Sequence, residues 1–185
     1  MSKGLSIVGS SRVNGDRSEG DFYPTPRHVT EALIEREGFS GLTWECACGD
    51  GAISSVLEER GLQVVSSDLV NRGYGRTFDF LTSLERADNI ITNPPYKMAS
   101  EFIRHAKKQA DAKVAMFLRT AFLEGSTRYA MFNDTAFPLK TVYQFSKRVT
   151  LCKPGANIKT GGMIAYAWFV WDKSHKGKPT IEWIL

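Results

Sequence analysis

No apolar run in this 185-residue chain approaches the ~20 residues that a membrane-spanning helix needs, and its first residues lack the apolar stretch of a secretory signal. Cysteine is scarce: Cys46, Cys48 and Cys152 form no C-x-x-C pair and cannot all pair with one another. That argues against a disulfide framework and a structural zinc site, and for a reducing, cytoplasmic compartment. Three histidines, His28, His105 and His175, are scattered and suggest neither a metal site nor a catalytic base. The chain has no G-x-G-x-x-G and no G-K-[ST], so the nicotinamide fingerprint is incomplete and a P-loop is excluded. Internal repeats are absent too.

What remains is an ordinary globular composition, 42% hydrophobic and 24% charged, in a length that fits one domain. A domain of this size buries roughly 70% of its unfolded surface. Residues 1–21 are rich in Ser, Gly and charge without periodicity, and read as a mobile arm preceding a single domain over 22–185. The net charge of +4 is unevenly spread. Of 24 basic and 20 acidic residues, eight basic ones (Lys140, Lys147, Arg148, Lys153, Lys159, Lys173, Lys176, Lys178) and one acid, Asp172, fall between 140 and 178. A segment so basic suits a polyanionic partner; a solvated lysine face is the plainer alternative.

Thr25-Pro26 looks like a helix start, with Thr capping and Pro in the first turn, and Val29, Ala32 and Leu33 form its buried stripe. From residue 42 strand-like and helix-like segments alternate. Strands are expected over 42–47, 62–67, 89–92 and 114–118, and helices over 53–60, 99–109 and 127–132. Such alternation implies parallel strands with crossover helices on both faces, an α/β fold. The ending is β-rich, over 141–145, 163–171 and 180–185, and implies antiparallel pairing at one side of the sheet.

Three constellations carry chemistry. Glu45-Cys46-Ala47-Cys48-Gly49-Asp50-Gly51 is a strand followed by a glycine turn, where backbone can approach a ligand at the carboxyl edge of a parallel sheet. Asp68, at the tip of the next strand, is placed to accept hydrogen bonds from ribose hydroxyls. Both also have bland readings, as a packing turn and a loop cap; Cys46 and Cys48 read foremost as small apolar packing.

The sharpest feature is Asn93-Pro94-Pro95-Tyr96. Two prolines fix φ and remove two donors, leaving a rigid corner that presents the Asn93 side-chain oxygen and the Pro94 carbonyl as adjacent acceptors. An exocyclic NH₂ has two hydrogens to give. Held by both acceptors, its nitrogen can move from planar toward tetrahedral and free its lone pair for attack on a methyl group. Tyr96 supplies a flat face for a base.

Taken in order, Phe22-Tyr23-Pro24-Thr25-Pro26, the glycine turn, Asp68 and Asn93-Pro94-Pro95-Tyr96 resemble the S-adenosylmethionine-dependent amino-group methyltransferases that act on adenine N6 in DNA, in their gamma motif order. The resemblance covers about residues 22–133, and the later stretch is similar to small stand-alone phage-type enzymes. It implies a class I, Rossmann-like methyltransferase fold, S-adenosylmethionine as cofactor, no metal, and a bacterial or phage-infected cell. It also implies a cofactor pocket of Tyr23, Pro24, Thr25, Glu45, Ala47, Cys48, Gly49, Asp68, Leu69, Asp79, Phe80 and Asn93, with Asp79 near the adenine amino group and Phe80 against its ring. Catalysis would fall to Asn93, Pro94, Pro95 and Tyr96. DNA contacts are expected from Phe145, Lys147, Arg148, Lys153 and Lys159.

The chain departs from the larger restriction-type members in having no room for a target-recognition domain, so that specificity would be loose or built by a homodimer or the basic C-terminal hairpin. The tetrad also begins with Asn, as in enzymes that methylate glutamine side chains or RNA bases. RNA and protein glutamine are therefore the alternative acceptors. A non-catalytic nucleic-acid-binding subunit of the same fold is the alternative of another class, although such subunits usually lose the tetrad or the glycine turn.

Overall fold

The computed structural model describes residues 22–151 and 164–185. The expected arm over 1–21, with Cys152, Lys153 and Lys159, lies outside the described residues.

The chain runs α1 (Arg27–Ile34), β1 (Leu42–Glu45), α2 (Ser54–Glu59), β2 (Gln63–Asp68), β3 (Arg76–Thr77), β4 (Ala87–Thr92), α3 (Ala99–Gln109), β5 (Ala110–Arg119), α4 (Tyr129–Phe132), β6 (Leu139–Phe145), β7 (Tyr166–Asp172) and β8 (Thr180–Ile184), with single 3₁₀ turns between some of them. Among the described residues these strands form one sheet in the order β3-β2-β1-β4-β5-β7-β6-β8. Strands β1 to β5 pair in parallel, and β7 runs antiparallel to both its neighbours, β5 and β6.

Burial explains the assembly. In β4 and β7 almost every residue is buried, as is the run 114–118 of β5, because helices cover both faces and successive side chains feed opposite cores. Ile90, Met116, Phe169 and Trp171 join Phe102 and Ile103 of α3 in one core. Ile91, Phe117, Trp168 and Val170 join Val29 and Leu33 of α1 and Leu57 of α2 in the other. The Trp168 indole N–H, fully buried, donates to the Val29 carbonyl at 2.8 Å and so fastens α1 to the sheet.

Three expectations need correction. Strand β8 pairs in parallel with β6, not antiparallel. Both edges of β7 are already occupied by β5 and β6, so the returning chain can add only beyond β6. The helix expected over 127–132 is a 3₁₀ turn at Ser126–Arg128 followed by one α turn. Finally, Pro26 rather than Thr25 stands at the N-cap of α1, with no side-chain cap bond; the Thr25 hydroxyl is engaged elsewhere. No described helix is long and apolar enough to cross a membrane.

Sheet order also fixes where a site can form. The chain lays β2 and β3 on one side of β1 and β4 and β5 on the other, so β1 and β4 flank a topological switch point. Their carboxyl ends carry Glu45 and Asn93, and the end of β2 carries Asp68.

Candidate active site

A cavity of about 490 Å³ opens at those carboxyl ends, a volume suited to one cofactor-sized molecule. It is lined by Tyr23, Pro24 and Thr25 from the segment before α1, by Glu45, Ala47 and Cys48 from the glycine turn, and by Asp68 and Leu69 after β2. Asp79, Phe80, Asn93, Pro94, Pro95 and Tyr96 also line it. The motifs named from the sequence thus converge on one cavity.

Glu45 lies at its base and is fully buried. Its Oε1 accepts from the Thr92 hydroxyl and, at 3.3 Å, from the Ala47 N–H; Oε2 is buried with no partner. Burial pushes the carboxyl up to about 8, against the pull of those two donors and with Asp68 adding to the rise. Such a group is poised to receive a cation, which would restore its charge. Burial also raises Cys46 well above the thiol range and Cys48 to about 12, so neither sulfur is a ready nucleophile.

Asp68 ties β2 to the turn: Oδ2 accepts from the Gly49 N–H and Oδ1 from the Val70 N–H, each at 2.9 Å. Each carboxylate oxygen retains a further lone pair for a ligand hydroxyl. Gly49 and Gly51 take φ of +57° and +88°. The space above them differs from the sequence expectation. A Cβ on Gly49 would lie 2.1 Å from the Phe22 ring, and one on Gly51 would lie 2.5 Å from the Tyr74 ring. The missing side chains admit the protein's own aromatics, and Phe22 in turn carries the Arg72 guanidinium 4.4 Å from its centroid.

Asp79 caps the Phe80–Thr82 turn, Oδ1 accepting from the Leu81 N–H at 3.0 Å. Phe80 is 2% exposed and packs edge-on against Trp44 and His105, so only part of its ring can meet a ligand.

Asn93 follows β4 directly. Its Nδ2 donates to the Thr25 hydroxyl at 3.0 Å and to the Tyr23 carbonyl at 3.4 Å. With the amide hydrogens spent there, Oδ1 is left as an acceptor. Pro95 accepts the Met98 N–H at 2.8 Å, closing a 3₁₀ turn over Tyr96–Met98 that sets the Tyr96 ring in place. That ring packs at 5.8 Å against Tyr166, and its hydroxyl is buried without a hydrogen-bond partner. Burial, with Tyr166 beside it, raises Tyr96 far above the phenol range, so it serves as a neutral ring.

Of the residues expected to meet DNA, Lys147 and Arg148 are exposed just beyond the carboxyl end of β6. Phe145 is not available: it is 5% exposed, with its ring 6.1 Å from Phe117 in an edge contact. Lys97, Met98 and Arg72 line the cavity but were missed, because they sit in short turns that carry no motif of their own.

No family model matches the chain, and no curated protein matches it by sequence. Solved structures do. One assigned as an RNA methyltransferase from Pyrococcus horikoshii has a TM-score of 0.63 and 16% identity over 86% of this chain and 90% of that one. A modification subunit assigned to a type I restriction enzyme of Vibrio vulnificus has a TM-score of 0.62 and 17% identity; the match covers 90% of this chain and about half, 48%, of that one. Magnesium protoporphyrin IX methyltransferase from Synechocystis, with bound S-adenosylmethionine, has a TM-score of 0.55 and 16% identity over 80% and 76%. The fold is the class I, Rossmann-like methyltransferase fold. Acceptors as unlike as RNA and a porphyrin share it, so the acceptor must be argued from the site.

Proposed function

We propose that this chain, with residues 22–185 acting as one catalytic domain, transfers a methyl group from S-adenosylmethionine to adenine N6 in DNA. One observation carries the reading. The Asn93 amide is anchored through Nδ2, which leaves its Oδ1 as an acceptor, and Asn93 and Pro94 both line the cavity.

The residues present fit that cofactor. The orphaned Glu45 Oε2 suits its cationic amino group, and the spare lone pairs of Asp68 suit its ribose hydroxyls. Leu69, 67% exposed beside Asp68, offers apolar cover for its adenine, and the Asp79 carboxylate can accept from that ring's amino group. When bound, the cofactor supplies an electrophilic sulfonium methyl.

The chain's own residues do the rest. Asn93 Oδ1 and the Pro94 carbonyl each accept one N–H of the target amino group, which favours a tetrahedral nitrogen and localises its lone pair. The cofactor would supply the methyl group, with its thioether as the leaving group, and the amino group would give up one N–H proton to water. Tyr96 holds the base, rotated out of the stack at a cost of a few kcal/mol. Lys147 and Arg148 lie exposed at the same sheet edge, where phosphates would pass.

RNA adenine is the second reading, favoured by the near-complete overlap with the Pyrococcus structure. An acceptor competition tests the choice. With labelled S-adenosylmethionine and equal masses of unmodified DNA, RNA and protein, label should enter DNA. Label confined to RNA or to protein contradicts the assignment.

A further inference from the structure

Arg119 has no place in the motifs or in the cavity wall. It is the last residue of β5, the strand beside β4, so it stands at the same carboxyl edge as the tetrad. Its guanidinium carbon lies 4.9 Å from the centroid of the Tyr96 ring. The residue is exposed, yet its backbone is held: Thr120, next in the chain, donates its N–H to the Ala165 carbonyl at 2.9 Å and its hydroxyl to Gln144 at 2.7 Å.

It has no ion pair, a state it shares with Arg128 and Arg148 among the described residues, but it alone of these lies on the ring of the tetrad. Arg27, Arg36, Arg60, Arg76, Arg86 and Arg104 each meet a carboxylate. Among the described residues no carboxylate lies within ion-pair distance of Arg119, and its only ring contact is Tyr96. Lys97 follows Tyr96 on one side, and Lys147 and Arg148 follow β6 on the other. A planar cation without an ion pair, at the same sheet edge as Lys97, Lys147 and Arg148 and seated on the ring that would hold the base, matches a nucleotide, which presents a π-face and a phosphate together.

We infer that Arg119 binds the phosphate flanking the target nucleotide and, through its contact with Tyr96, positions the base. This rests on the nucleic-acid reading of the site. The charge lowers the dissociation constant and KM for DNA, whereas the planar stack on Tyr96 affects kcat.

The test compares wild type, Arg119→Ala and Arg119→Lys by steady-state methyl transfer to duplex DNA, duplex binding across a salt series, and cofactor binding by calorimetry. Arg119→Ala should raise KM about tenfold and lower the salt slope by about one, with cofactor affinity unchanged. Arg119→Lys should restore the slope while kcat stays depressed, because an ammonium lacks the planar face. Wild-type KM, kcat and salt slope in Arg119→Ala overturn the inference, as does an equal loss of cofactor binding, which marks a structural role. A wild-type protein that neither methylates nor binds duplex overturns the parent reading; an active wild type with an indifferent Arg119→Ala overturns this inference alone.

Discussion

Asn93 and Thr25 meet side chain to side chain, Nδ2 to Oγ1 at 3.0 Å, one at the end of β4 and the other just ahead of α1. Thr25 is buried, so the bond is shielded from water. A hydroxyl can donate or accept, so the Tyr23 carbonyl, which only accepts, sets which way the amide points. A flipped amide would set Oδ1 against the Tyr23 carbonyl.

Thr25→Val keeps the shape and removes the acceptor. Turnover should fall about tenfold, the equivalent of ~1.4 kcal/mol, with the cofactor dissociation constant within about twofold of wild type. Thr25→Ser should recover most of the loss. Unchanged turnover in the valine variant means that Asn93 is oriented by something else.

Glu45 links binding to protons. With its carboxyl at about 8 in the free protein, it is largely protonated at pH 7. A bound ammonium favours the carboxylate, so cofactor binding at pH 7 should release close to one proton. Calorimetry in buffers of different ionisation heat reads this directly, and Glu45→Gln should abolish it. The same raised value makes the folded state bind more protons than the unfolded one between about pH 4.5 and 8. Stability from this group is therefore present at low pH and lost as pH rises through that window. Chemical denaturation of the free protein at pH 6 and 8.5 should show the decline, flattened in Glu45→Gln.

Gly49→Ala forces a Cβ into the Phe22 ring at a positive φ. Stability should drop on the order of 1–3 kcal/mol and cofactor affinity should fall with it. Adding Phe22→Ala removes the clash but not the backbone strain, and should return part of the stability. Full recovery, or none, would show that one of the two terms is absent.

At the opposite end of the sheet Glu37, 2% exposed, receives the Tyr143 hydroxyl at 3.0 Å and Lys140 at 2.7 Å, and also pairs with Lys113. Burial pushes its carboxyl up, but the hydrogen bonds and charges of Lys113 and Lys140 outweigh that and hold it below the usual carboxylate range. Glu37→Gln should cost ~3 kcal/mol near pH 7, because Lys113 and Lys140 lose their nearer carboxylate and keep only Asp172, at 3.6 and 3.8 Å. For an acid depressed in the folded state the stabilisation is present above its unfolded value and fades as pH falls through its folded one. The gap between wild type and variant should accordingly narrow in acid; a gap independent of pH would mean packing, not charge, sets it.

How far the sequence could be read follows from periodicity. Helix α3 is legible to the residue because Phe102, Ile103 and Ala106 repeat at helical spacing. The parallel strands are legible as short apolar runs between turns. Strand β3 is not: Arg76 and Thr77 are two exposed residues with no apolar face. Phe145 misled because its place beside the basic segment does not say which face of β6 is covered: its ring falls on the face that packs with Phe117 and, through the same core, with α1. The tetrad and Asp68 could be located because they sit at strand ends. That Phe22 fills the space over Gly49, and that Arg119 lies on Tyr96, depend on segments brought together only by folding.

The most direct measurement is nucleoside analysis of unmodified double-stranded DNA after incubation with the protein and labelled S-adenosylmethionine, alongside Asn93→Ala. The account predicts label in N6-methyldeoxyadenosine with the wild type, and a loss of at least about a hundredfold with the variant while it still binds cofactor. Label on a ring nitrogen or on a carbon, or an Asn93→Ala protein as active as wild type, would contradict it.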